Sequence, residues 1–164
     1  MKKIYIITGP AGVGKTTISK ELANRLDKVA LIEGDDIYNM IIKPELKPWK
    51  EPNHLNIFWK NVYSLIDNYL DEGFDVVFNY IIKQKTLEKI IERYSDRDDI
   101  KIIFKCLIVD KEELVKRDLL RPEDCRMGER SIVLLNEFLN QPFEKYFLDT
   151  TYLTIEDTVN RILE

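Results

Sequence analysis

Histidine is nearly absent from this chain: His54 is the sole imidazole in 164 residues. One histidine without partners builds neither a multi-histidine zinc centre nor a nucleophilic triad, so His54 reads as a surface or helix-start residue. Cysteine is almost as scarce. Cys106 falls in an apolar run and Cys125 in a polar stretch, which argues against a disulfide framework and fits a reducing, cytoplasmic compartment. Long apolar runs are missing too. The stretch after Met1-Lys2-Lys3 stops at Thr8 and Gly9, too short for a signal-peptide core or a membrane span. Positive charge is not in excess: the net charge is -4 and the pI near 5.2, which argues against a broad nucleic-acid surface. Nor does the tetrapeptide Asn-Lys-x-Asp occur, which disfavours a guanine-reading switch of the GTPase type.

What is present suits a packed fold. Hydrophobic residues make up 45% and charged residues 33%, enough apolar surface for one compact domain spanning 1–164. Ile4 to Ile7 forms a short apolar run ending in a glycine-rich turn, followed by a helix carrying Ile18, Leu22 and Leu26. Val29 to Ile32 repeats the strand signal. Asn53 is positioned to cap a long helix with Leu55, Trp59, Val62, Ile66 and Tyr69 on one face, ended by Gly73. Phe74 to Phe78 and Ile102 to Val109 are near-continuous apolar runs of the kind parallel sheets require. Between them a helix is expected around Leu87 to Tyr94. Asp110 followed by Glu113 starts another, running to about Leu120. Helix Ile132 to Leu139, a strand near Phe147 to Thr150 and a last helix with Val159 and Ile162 complete the series. The alternation implies an α/β fold with a parallel sheet and helices on both faces. Ligands then belong at the C-terminal strand ends.

The segment Gly9-Pro10-Ala11-Gly12-Val13-Gly14-Lys15-Thr16 satisfies G-x-x-x-x-G-K-[ST] and stands between a strand and a helix, as that pattern requires. Polyphosphate carries several negative charges, so such a loop offers converging backbone N–H groups at the positive end of a helix, with glycines permitting close approach. Lys15 adds a point charge for the β- and γ-phosphates, Thr16 offers a hydroxyl to Mg2+, and Thr17 adds a contact to the α-phosphate. ATP with Mg2+ is the expected cofactor.

Glu33-Gly34-Asp35-Asp36 follows the second strand. A carboxylate there can orient an acceptor hydroxyl and take its proton, which makes Asp35 the candidate base and, with Thr16, a candidate metal ligand. The alternative is an acidic turn in which Asp36 caps a helix at Ile37. Arg117, Arg121, Arg126 and Arg130 run from a helix end across a polar stretch with Pro122 and Gly128. Guanidinium groups over a bound triphosphate would offset developing charge and exclude water, so 121–130 reads as a lid with Arg126 over the γ-phosphate. Solvated helix faces are the plainer reading of each arginine taken singly.

The phosphate loop, the Gly34-Asp35 pair and the arginine segment together resemble the P-loop small-molecule kinases related to gluconate kinase, shikimate kinase and chloramphenicol phosphotransferase. The resemblance covers nearly the whole chain. It implies a three-layer P-loop fold with a five-stranded parallel sheet of order 2-3-1-4-5 and a short lid. It also implies an acidic acceptor or metal residue at Asp35, with Arg117 and Arg121 approaching the adenine. One departure is Asn79 at the end of the third strand, where many P-loop enzymes keep a metal-anchoring aspartate; Asn79 is open to a substrate contact instead. The expected activity is transfer of the γ-phosphate of MgATP to a hydroxyl of a small molecule such as a sugar acid, metabolite or antibiotic, by a monomer or weak homodimer without a membrane partner. A 5′-hydroxyl nucleic-acid kinase, hinted at by Lys43, Lys47, Trp49 and Lys50, a nucleotide-sugar kinase and a nucleotide-binding module without transfer are the alternatives. Pro44, Pro48 and Pro52 mark Lys43 to Asn53 as an irregular loop, in which Trp49 either lines an acceptor pocket or pins the loop.

Overall fold

The structure, a computed structural model, describes residues 1–44, 52–142 and 144–164; Lys47, Pro48, Trp49 and Lys50 lie outside the described residues. Strand β1 (Lys2–Thr8) carries Ile4, Tyr5, Ile6 and Ile7, all without solvent exposure. Both faces of this strand are therefore covered, as a central parallel strand demands. Helix α1 (Lys15–Asn24) leads to β2 (Val29–Glu33) and then to α2 (Gly34–Asn39). Helix α3 (Pro52–Asp71), β3 (Asp75–Asn79), α4 (Gln84–Arg93) and β4 (Ile100–Ile108) follow. Helix α5 (Lys111–Leu119), α6 (Glu129–Leu139), β5 (Phe147–Asp149) and α7 (Ile155–Leu163) complete the order. The sheet is five-stranded in the order β2-β3-β1-β4-β5, with every pairing parallel. This is the sheet the family resemblance implied.

Side-chain alternation along β1 divides the core into two layers. Ile4 and Ile6 pack with Phe58, Val62, Ile66 and Leu70 of α3 and with Leu87 and Ile90 of α4. Tyr5 and Ile7 face the opposite way, toward Leu22 of α1, Leu114 of α5, Leu135 of α6 and Val159 of α7. Each fully buried aliphatic side chain contributes roughly 1.5–3 kcal/mol relative to exposure.

Several local expectations shift. Helix α3 begins at Pro52, so Asn53 lies inside its first turn instead of capping it. Its buried stripe runs Phe58, Val62, Ile66 and Leu70, while Tyr69 is exposed and meets Phe74 edge-on at 5.8 Å. Gly73 does end the helix: at φ 78 it lets its own N–H reach the Leu70 carbonyl and the Phe74 N–H reach that of Tyr69, both at 2.9 Å. That pair of bonds is the Schellman arrangement. Helix α2 starts at Gly34, so Asp36 sits within its first turn and is not the cap; Glu33 holds that position without a side-chain bond. There Asp36 still faces the positive end of the helix. Helix α6 starts three residues before Ile132, after Gly128 at φ 54. At α5 the expected cap is present, the Asp110 carboxylate accepting from the Glu113 N–H at 2.8 Å.

Candidate functional site

The loop between β1 and α1 is shaped by its glycines. At Gly9, φ is 141 and an added Cβ would lie 2.3 Å from the Leu107 carbonyl oxygen of β4, so only glycine fits there. Gly14, at φ 105, turns the chain into α1. The first N–H groups of α1 thereby open toward a cleft of about 670 Å³ whose floor is Ala11, Gly12, Val13, Gly14, Lys15, Thr16 and Thr17. Lys15 folds back along the loop, its ammonium donating to the Gly9 carbonyl at 3.0 Å and the Pro10 carbonyl at 2.9 Å. Burial pulls its pKa from 10.5 down to about 8, partly offset by the nearby Asp35 carboxylate.

Asp35 is exposed and lines the same cleft, carried there by the first turn of α2. Gly34 lets that turn approach β3: a Cβ on it would lie 2.5 Å from the Tyr80 ring. The Tyr80 hydroxyl is held protonated, first by burial and then by the Asp35 charge. Its ring stacks at 6.4 Å on Phe78 and packs 4.6 Å from Phe58, one edge of an aromatic cluster that also contains Trp59 and Tyr38. The cleft wall also includes Asn79 and Ile81.

The opposite wall is built from α5 and the residues after β5. Arg117 lines the cleft but commits its guanidinium to structure. It donates to the Val13 carbonyl at 3.1 Å, to Thr150 Oγ1 at 3.2 Å and carbonyl oxygen at 2.9 Å, and to Glu113 at 2.8 Å. Arg121 also lines the cleft, with one nitrogen 3.3 Å from Asp118. Asp118 is 4% exposed and accepts the N–H groups of Met127 (3.1 Å) and Gly128 (2.8 Å). Burial alone would raise the Asp118 pKa, but those two amides and Arg121 hold it below the ordinary carboxylate value. Arg126 is not among the described residues lining the cleft. Its Nε donates to the Arg121 carbonyl at 3.0 Å, so its guanidinium points back along 121–130.

The structure thus brings Ala11 through Thr17, Asp35, Arg117 and Arg121 together, with the Gly9 and Pro10 carbonyls bound by Lys15, and leaves Arg126 outside. Sequence reasoning missed Asp118, Thr150, Leu153 and Thr158. Asp118 lies one residue after a named arginine, yet only a tertiary fold reveals a carboxylate tying the ends of 121–130. Thr16 and Asp35 supply hard oxygen donors of the kind magnesium takes. Among the described residues no group of three His, Cys, Asp or Glu could hold a metal ion.

A family model described as an AAA domain matches residues 6–131, and the chain belongs to that family. Its five-stranded sheet and strand order are those of the P-loop kinase fold. The chain is similar to a guanylate kinase of Prochlorococcus marinus subsp. pastoris, 29% identical over 138 residues, 71% of each chain. The solved tunicamycin resistance protein of Deinococcus radiodurans superposes with a TM-score of 0.71 at 20% identity, covering 99% of this chain and 94% of that one. A gluconokinase from Sinorhizobium meliloti 1021 gives a TM-score of 0.65 at 19% identity, covering 99% and 89%.

Proposed function

We propose that this chain is an ATP-dependent phosphotransferase whose acceptor is a hydroxyl of a small molecule. The observation that carries the reading is one continuous cleft with a phosphate loop as floor, Asp35 at one wall and Arg121 at the other. Bound MgATP supplies the transferable γ-phosphoryl group. Lys15 and the loop N–H groups bind the β- and γ-phosphates, and Thr16 and Asp35 would hold magnesium. Asp35 orients the acceptor hydroxyl and takes its proton as the oxygen attacks. Arg121 adds positive charge at the far wall, and Arg126 joins it when 121–130 closes as a lid and its bond to the Arg121 carbonyl is released. The similarity to a guanylate kinase supports a second reading, in which the acceptor is the phosphate of a nucleoside monophosphate.

The test is magnesium-dependent ADP release with gluconate, shikimate, chloramphenicol, nucleosides, nucleotide sugars, GMP and 5′-hydroxyl oligonucleotides. Stimulation by a hydroxyl compound is the expected result. Stimulation by GMP alone selects the second reading, and nucleotide binding without stimulation by any compound contradicts transfer.

A further inference from the structure

Asn79 ends β3 between two functional strands, its Cα in register with Ile7 of β1, which leads into the phosphate loop, and with Glu33 of β2, which leads to Asp35. The residue is 4% exposed and lines the cleft, yet its Nδ2 has no hydrogen-bond partner among the described residues. A buried amide donor left unpaired carries an uncompensated desolvation cost, and such groups persist where a ligand satisfies them. The two side chains are complementary. An Asp35 carboxylate accepts a hydroxyl proton, whereas Asn79 Nδ2 offers N–H to an oxygen lone pair.

We infer that Asn79 reads the acceptor, donating to a second oxygen beside the hydroxyl that Asp35 holds. The complementary ligand is an uncharged compound with neighbouring hydroxyls, either a free sugar or the ribose of a nucleoside. At the second oxygen itself a carboxylate or phosphate would meet the neutral Asn79 amide instead of a cation, so an uncharged hydroxyl suits that position. The inference rests on the kinase reading for Asp35, but binding tests it apart from transfer.

The experiment follows the Asn79 side-chain amide signal of the 15N-labelled full chain, assigned by its loss in Asn79→Ala. MgADP is added first, then D-ribose, D-glucose, guanosine or uridine. The signal should keep its position with MgADP and shift with at least one of the four. The Kd of that compound should rise roughly tenfold in Asn79→Ala and in the near-isosteric Asn79→Asp, which guards against misfolding of the alanine variant. Response to nucleosides alone places the hydroxyls on ribose of a nucleoside; response to the free sugars places them there. A full shift with MgADP alone, no response to any of the four, or an unchanged Kd in both variants overturns the assignment. ATP turnover on the same compounds separates the two readings. Binding without transfer sinks the kinase reading and leaves Asn79 standing, while transfer with unaltered acceptor affinity in both variants does the reverse.

Discussion

Lys15 carries the clearest conflict at the scale of single residues, a cation drawn under its own loop with a pKa near 8. Below about pH 8 the folded and unfolded chains both hold this proton and the burial cost is fully present. Between about 8 and 10.5 the folded chain releases it first, so stability rises with pH. Lys15→Met should therefore raise the thermal midpoint at pH 7, flatten the rise above pH 8, and weaken ADP binding by roughly a hundredfold; thermal melts across pH and calorimetric titration check both effects. Gly34 makes a steric prediction. Alanine there would drive a methyl to 2.5 Å from the Tyr80 ring, and overpacking of this kind costs about 1–3 kcal/mol, measurable by urea unfolding. The phosphate loop and Asp35 were legible at this scale because short-range pattern specifies them. Asp118 was not, since its role depends on which backbone amides the fold brings beside it; Asn79 was open to a substrate contact from its place after the third strand, but its unpaired Nδ2 shows only in the fold.

From α5 into α6 runs the segment 121–130, tied back to α5. Its two ends are joined by the Asp118 carboxylate, which accepts from Met127 and Gly128. Asp118→Ala leaves those N–H groups without their acceptor, at a cost of about 1–3 kcal/mol. Amide exchange at Met127 and Gly128 should accelerate while exchange in β1 and β4 stays slow, and uniform acceleration would contradict a local tie. Element types were readable from apolar periodicity, as at α1, α3 and the parallel strands. Boundaries were less so. The start of α6 depends on Gly128 adopting φ 54, and the exposure of Tyr69 on α3 depends on how the helix rotates against β3, which spacing alone leaves open between adjacent stripes.

Across the whole molecule, Arg117 joins the phosphate loop, α5 and the exit of β5 through Val13, Glu113 and Thr150. Nucleotide binding at the loop should accordingly stabilise the entire sheet. With MgADP at a hundred times its Kd, stability should increase by about 2.7 kcal/mol, and the increase should vanish in Lys15→Met. Arg117→Lys replaces a planar fork by one ammonium, so it should lower the melting temperature and weaken nucleotide binding together. The layer order was legible because strand and helix signals alternate along the chain. What would hold an acceptor was legible only in part, because Lys47, Trp49 and Lys50 form no unique chemical pattern and lie outside the described residues, and the aromatic cluster around Tyr80 assembles from α2, α3 and β3.

The proposed reaction moves phosphate bound over Lys15 to a hydroxyl held by Asp35. Its most direct test follows γ-labelled phosphate from ATP into the stimulating acceptor, for the wild type and Asp35→Asn, with ADP affinity measured on the same samples. Label should enter the acceptor with the wild type and fall by at least about a hundredfold with Asp35→Asn, while ADP affinity changes little. Undiminished transfer by the Asp35→Asn protein, or label released only to water by the wild type, would contradict this reaction.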